Sequence, residues 1–229
     1  MKALFVAGTD TGVGKTVVTG CLARYLSESG RSVITQKWIQ TGCDSKLASD
    51  IKVHLKFMGR NAGDVKQYLP YLAPYIFKTA SSPHFASERE GRTIDVNKIM
   101  RSFEFLAARF DYVIVEGIGG ALVPFNKKHL IIDMVSDLGL PVLVVAGNRL
   151  GAINHTLLTV ESLASRGIKV PGIVFNDLKK GNRDILENNT KIIAGFTGKQ
   201  VFGVLPRQDS REKLYKKFIP IGKKIAGAI

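Results

Sequence analysis

The strongest constraint on this chain is the run Gly8-Thr-Asp-Thr-Gly-Val-Gly-Lys-Thr16, which lies between an apolar stretch at 3–7 and an amphipathic helical pattern from Val17 onward. Its glycines let successive backbone N–H groups curl around an anion, and a helix beginning directly afterwards points its positive end at the same place. Lys15 offers an ammonium to the outer phosphates of a nucleotide, and Thr16 offers a hydroxyl to Mg²⁺. Gly12, Val13, Gly14, Lys15, Thr16 and Val17 are therefore expected to cradle the polyphosphate of ATP or GTP. Five residues separate Gly8 from Gly14 where four are usual, which narrows the range of families.

Strand-like runs recur at 3–7, 32–36, 112–115, 142–146, 172–175 and 201–204, with helical stretches between them. Such alternation predicts an α/β fold: one domain over 1–229, with a mostly parallel sheet of about seven strands and helices on both faces. Val113-Ile-Val115 and Val142-Leu-Val-Val145 are continuously apolar, as strands buried on both faces must be. Val17, Val18, Cys21, Leu22, Tyr25 and Leu26 make one helical stripe that ends before Gly30. Further helices are expected over 47–58 and 96–109. Another is expected from Ala152 to Gly167, with Ile153, Leu157, Leu158, Val160 and Leu163 turned inward. The proline- and aromatic-rich stretch 68–83 reads as an ordered loop, either a substrate wall or a surface excursion packed by its own aromatics.

In sheets of this kind ligands sit beyond the carboxyl ends of the strands. That rule gathers Lys37 and Thr41, then Glu116-Gly117-Ile118-Gly119-Gly120, Asn148 to Gly151, and Asn176-Asp177 at one edge. Glu116 closes an apolar run where nucleotide-binding proteins of this class hold a carboxylate beside Mg²⁺.

Charge alone would suggest a nucleic-acid partner, because the formal net charge is +14 over 229 residues. The basic residues are nevertheless dispersed and no recognition motif accompanies them, so neither nucleic acid nor membrane is expected as a partner. The densest cluster, Arg211 to Lys217 with Lys223-Lys224, reads as solvated surface. Met1-Lys2 leads directly into the first apolar run, no apolar stretch is long enough to span a bilayer, and two cysteines make no disulfide framework. A reducing cytoplasm is the expected compartment. His54, His84, His129 and His155 show no metal-ligand spacing. His84 and His155 are expected to be structural hydrogen-bonders near the site.

Taken in order, the phosphate loop, Lys37 with Thr41-Gly42, Pro74-Tyr75 with Phe77, Ser82-Pro83-His84, Glu116-Gly-Ile-Gly-Gly120, Leu150-Gly151 with Ile153-Asn-His155, and Asn176-Asp177 resemble the dethiobiotin synthetases. The resemblance covers about 1–206, including the unusual loop spacing. It implies an ATP- and Mg²⁺-dependent ligase of biotin synthesis. One amine of 7,8-diaminononanoate captures CO₂ as a carbamate, the carbamate attacks the γ-phosphate, and the second amine then expels phosphate to close the ureido ring. By the same resemblance Lys15 and Lys37 are catalytic, Thr16, Asp50 and Glu116 hold Mg²⁺, and Glu116, Gly117, Ile118 and Gly119 line the nucleotide. Asn176 and Asp177 face the adenine, with Pro206, Arg207 and Gln208 closing over it. Thr11, Lys37, Thr41, Gly151 and Asn154 meet the substrate, and the helix start at Gly151–Asn154 reaches the neighbouring subunit of a homodimer.

Two points depart from the family pattern. Lys37-Trp38 stands where a lysine-proline step is common, which leaves the backbone after the lysine freer. Asp50 is matched across a gap-prone stretch, with Asp44 as the substitute ligand. The alternative function is a partitioning or regulatory ATPase acting on nucleic acid or a membrane surface. Against it, the lysine such ATPases carry early in the loop is replaced here by Asp10 or Thr11.

Overall fold

In the computed structural model, which describes residues 2–177 and 183–229, the chain alternates strand and helix almost throughout. The elements are β1 (Lys2–Gly8), α1 (Lys15–Glu28), β2 (Val33–Lys37), β3 (Ile39–Gln40), α2 (Ser49–Phe57), a 3₁₀ segment (Gly63–Tyr68), α3 (Leu69–Leu72), β4 (Tyr75–Ile76), α4 (Pro83–Arg89) and α5 (Val96–Ala107). They continue with β5 (Tyr112–Gly120), α6 (Ile131–Asp137), β6 (Val142–Gly147), α7 (Ala152–Ala164), β7 (Gly172–Asn176), α8 (Arg183–Thr197), β8 (Val201–Leu205) and α9 (Arg211–Ala228). Six strands form one sheet in the order β2-β5-β1-β6-β7-β8, and every pairing in it is parallel. All six strand-like runs of the sequence are in this sheet, which has six strands where about seven were expected. The short strands β3 and β4 pair separately, also in parallel.

Because side chains alternate across a strand, each strand feeds two cores. Phe5, Ala7, Ile34, Val113, Val115, Val144 and Phe175 pack on one face with Ile99, Phe103 and Leu106 of α5, Val135 of α6 and Leu163 of α7. Leu4, Val6, Val33, Ile114, Val145, Val174 and Phe202 pack on the other with Leu22 and Leu26 of α1 and Tyr215, Phe218, Ile221 and Ile225 of α9. The basic C-terminal stretch is thus an amphipathic helix seated on the sheet, its lysines outward. Arg24 of α1 bonds Glu28 and Glu212, and the Tyr215 hydroxyl donates to Glu28, which tethers the two helices. Among the described residues no helix is long and apolar enough to cross a membrane.

The expected inward stripe of α7 is corrected by the structure. Val160 and Leu163 are buried, Ile153 and Leu157 are half-buried, and Leu158 is 56 % exposed. The sheet uses a narrower face of the helix, filled by Ala152, Thr156, Thr159, Val160 and Leu163. The stretch 68–83 is more regular than a loop. Tyr71 stacks on Phe105 of α5 and Tyr68 packs edge-on against Phe110, while β4 pairs with β3 just after Lys37 and Trp38. Its aromatics pack both on α5, through Tyr68 and Tyr71 against Phe105, and on one another, through Tyr75 stacked on Phe77, and its β4 half fixes the segment that carries Thr41.

Candidate active site

The phosphate loop joins β1 to α1. Gly14 takes φ 95 as the helix cap, and a Cβ there would stand 1.8 Å from Asn176 Nδ2, so a side chain is excluded both by conformation and by space. Asn176, at the end of β7, donates from Nδ2 to the Val13 carbonyl at 3.2 Å and so ties the expected adenine side to the loop. Lys15 folds back over the loop, donating to the Asp10 carbonyl at 3.0 Å and the Gly119 carbonyl at 2.7 Å. Burial, reinforced by the nearby Lys37 charge, lowers its pKa to about 8.

Beside the loop lies a compact charged cluster. β2 and β5 are in register with Lys37 opposite Glu116, so parallel pairing alone brings the two side chains together. Lys37 is 3 % exposed and Glu116 2 %. The Lys37 ammonium donates to Glu116 Oε1 at 2.9 Å and the Gly117 carbonyl at 2.7 Å, and it pairs with Asp50 Oδ2 at 2.8 Å. Three acceptors use its three N–H bonds. Thr16 donates its hydroxyl to Glu116 Oε1 at 3.0 Å. Glu116 Oε2 meets His54 Nε2 at 2.7 Å. Burial by itself would lower the Lys37 pKa, but Glu116 and then Asp50 outweigh it and raise the pKa above its ordinary value. Burial likewise opposes ionisation of Glu116, yet Lys37 first and His54 second hold its pKa well below the usual carboxylate range. Both groups are therefore charged, and removing either would strand the other's charge in the interior.

Asp50, not Asp44, joins this cluster. Asp44 pairs with Lys78 on an exposed surface. The missing proline after Lys37 is compensated by packing: Trp38 is buried, its ring lies 5.1 Å from that of Phe5, and its Nε1 donates to Gln36 Oε1 at 2.9 Å. Such a pair adds about 0.5–1.5 kcal/mol beyond area burial, so the backbone after Lys37 is anchored. β5 also runs past Glu116 to Gly120, placing the carboxylate inside the strand rather than at its end. Asp177 accepts from Asn148 Nδ2 at 2.9 Å, and its backbone N–H donates to Leu205. The latter bond draws the end of β7 to the segment Pro206, Arg207 and Gln208. Arg149 meets Asp10 Oδ2 at 2.8 Å, tying the loop before α7 to the phosphate loop of the same chain.

Other predicted residues stand further out. Thr11, Gly151 and Asn154 are exposed, and Thr41 is half-buried. His155 is exposed and the Nδ1 of His84 is buried without a partner. Neither makes a side-chain hydrogen bond among the described residues, contrary to expectation. His54 is the residue that sequence reasoning missed. Its signal was its place four residues after Asp50, which sets both on one face of a helix.

The oxygen set of Thr16, Asp50 and Glu116 fits Mg²⁺, a hard cation that takes one or two carboxylates and completes its shell with phosphate and water. Among the described residues no three His, Cys, Asp or Glu side chains form a metal site by themselves. Nucleotide oxygens would have to complete it.

Comparison with known proteins decides the family. A model described as an AAA domain matches residues 2–213. An ATP-dependent dethiobiotin synthetase of Chlorobaculum tepidum is 42 % identical over 205 residues, covering 90 % of this chain and 85 % of that one. The chain belongs to the ATP-dependent dethiobiotin synthetase family. A second synthetase of the family, from Thermodesulfovibrio yellowstonii, is 37 % identical over 219 residues, covering 90 % of this chain and 89 % of its own. Among solved structures, the MinD cell division protein of Aquifex aeolicus superposes with a TM-score of 0.62 at 14 % identity, covering 99 % of this chain and 98 % of its own. A ParA structure bound to nonspecific DNA gives 0.61 at 12 % identity, with the same two coverages. At such identities the likeness is one of fold. The sequence kinship is with the ligases.

Proposed function

We propose that this protein is an ATP-dependent dethiobiotin synthetase that joins 7,8-diaminononanoate and CO₂ into the ureido ring of dethiobiotin in biotin biosynthesis. The observation that carries the reading is the buried pair of Lys37 and Glu116 beside a complete phosphate loop, in a chain 42 % identical to a named synthetase.

Chemically, one amine captures CO₂ as a carbamate, a carbamate oxygen attacks the γ-phosphorus as ADP departs, and the second amine attacks the carbonyl carbon and expels phosphate. Charge moves from carbamate to phosphate across these steps. Lys15 and Lys37 are the cations that follow it, stabilising charge where it develops. Bound Mg²⁺ would neutralise the β- and γ-phosphates, held by Thr16, Asp50 and Glu116. Gly12 to Val17 and Gly117 to Gly119 line the phosphates, while Asn176, Asp177 and 206–208 surround the adenine. Thr11 and Thr41 offer hydroxyls to the carbamate and amines. Gly151 and Asn154 stand at the N-terminal end of α7, whose free N–H groups suit the substrate carboxylate. That contact is made across a homodimer. The exposed Leu150, at 90 %, and Leu158, at 56 %, support an interface on this face. A cytoplasmic setting accords with the free cysteines Cys21 and Cys43.

The test is phosphate release and dethiobiotin formation with ATP, Mg²⁺, diaminononanoate and bicarbonate, each omitted in turn. Product is expected only with all four. ATP turnover that ignores diaminononanoate and rises with DNA would overturn the reading in favour of a partition-type ATPase.

A further inference from the structure

We propose that His54 is a positioning residue that sets the orientation of the Glu116 carboxylate and thereby which of its oxygens can face the metal. The proposal rests on the reading of Glu116 as a Mg²⁺-facing group. His54 is 0 % exposed, and its sole side-chain hydrogen bond among the described residues is the 2.7 Å contact between Nε2 and Glu116 Oε2. Thr16 and Lys37 already donate to this carboxylate, so it acts as an acceptor here and the tautomer that fits has the hydrogen on His54 Nε2.

Geometry makes this contact consequential. Oε1 already accepts from the Thr16 hydroxyl and the Lys37 ammonium. A carboxylate has about four lone-pair positions, and His54 takes one on Oε2. With Oε1 holding Thr16 and Lys37 and Oε2 holding His54, any turn of the carboxylate breaks at least one of these bonds. Without His54, Oε2 would be a buried acceptor with no donor, and the group would rotate to share Lys37 or Thr16. α2 carries Asp50 and His54 four residues apart, so one helix face presents both the second carboxylate and the donor that aims the first.

A packing role alone does not account for the residue. Among the described residues the buried His54 Nδ1 has no hydrogen-bond partner, a cost that leucine at the same place would avoid. Partners of this kind around metal ligands commonly change metal affinity by about 10–100-fold when removed.

The test compares H54L, which keeps bulk and loses the donor, with H54Q, whose amide nitrogen reaches as far as Nε2, and H54N, which is one bond too short. Mn²⁺ binding in the presence of a non-hydrolysable ATP analogue is followed by electron paramagnetic resonance, with melting curves and the Mg²⁺ dependence of turnover beside it. H54L and H54N should weaken metal binding about tenfold or more, with nucleotide binding in the absence of metal unchanged, while H54Q stays within about threefold of the native protein. If H54L does not fold, the H54Q and H54N pair decides. Equal metal affinity in all folded variants, or equal loss in H54Q and H54N, would overturn the proposal. Combined with E116Q, the His54 substitutions should have no further effect on metal binding, and an additive loss would also overturn it. A native protein that binds no Mn²⁺ with the analogue would instead refute the reading of the metal site itself.

Discussion

At the β2–β5 end of the ligand edge, the Lys37 ammonium has three acceptors in its own chain and Glu116 has three donors. At the α7 end, by contrast, Leu150, Asn154 and Leu158 face solvent beside a helix N-terminus that has no side-chain cap. Under the proposed function the difference separates two kinds of work. Moving charge during phosphoryl transfer needs groups whose positions are fixed before substrate arrives, and burial with full hydrogen bonding fixes them. Binding a flexible substrate's carboxylate needs only an accessible anion site, and in the proposed homodimer completion by a second subunit would leave that site open until assembly.

The largest effect is expected from K37Q, which leaves Glu116 and Asp50 facing each other without their ammonium. Turnover should fall by at least about a hundredfold, and urea titration should show a loss of about 3–5 kcal/mol in stability, while calorimetry still detects ATP. A stable, active K37Q protein would break the contrast at its buried end.

Its open end is tested by mixing subunits. N154D should repel the substrate carboxylate by about 1–4 kcal/mol at contact distance and weaken diaminononanoate more than ATP, whereas K15A should silence the phosphate site. Equal remixing of the two inactive proteins should restore about a quarter of native activity, since about half the dimers are mixed and each then holds one intact site. Absence of recovery, with mixed dimers seen by mass spectrometry, would mean that the carboxylate is bound within one chain or that this helix start does not touch the substrate.

Smaller effects distinguish the two candidate aspartates. D50N should raise the Mg²⁺ needed for half-maximal turnover about tenfold. D44N removes only an exposed pair with Lys78 and should change stability by less than about 1 kcal/mol and activity not at all. The reverse pattern would mean that the Lys37–Asp50 contact is incidental.

The smallest effect is a pH dependence at Lys15. Its pKa in the folded protein is about 8, against 10.5 for the free side chain. Between these values the unfolded chain holds a proton that the folded one has released, so this group's contribution makes stability rise with pH through that window. ATP phosphates favour the ammonium, so binding at pH 9 should take up a proton and weaken as pH rises further. Calorimetry in buffers of different ionisation enthalpy reads the uptake. Its absence would show that Lys15 stays charged before ATP binds.

Much of this was legible along the chain. Strand-like runs located all six strands of the sheet, and the clearest, Val113–Val115 and Val142–Val145, were continuously apolar because a strand covered on both faces admits few polar residues. The phosphate loop was legible because its contacts are mostly local backbone N–H groups. α7 was read too broadly, since apolar spacing marks a helix but not how wide a face the sheet will cover, and Leu158 stayed outside. The 68–83 stretch was read as a loop because its short elements gain their partners, β3 and α5, from elsewhere in the chain.

What the sequence by itself determined is the order of strand, loop and helix, the nucleotide-binding chemistry of Gly8 to Thr16, and kinship with the synthetases, all carried by neighbouring residues or by local pattern. What only the tertiary structure decided is the charged cluster: which aspartate meets Lys37, how Trp38 stands in for a proline, and that His54 touches Glu116. His54 and Glu116 are 62 positions apart. Contacts at such separation depend on sheet register and on the packing of α2 against β2, quantities set by the whole core at once.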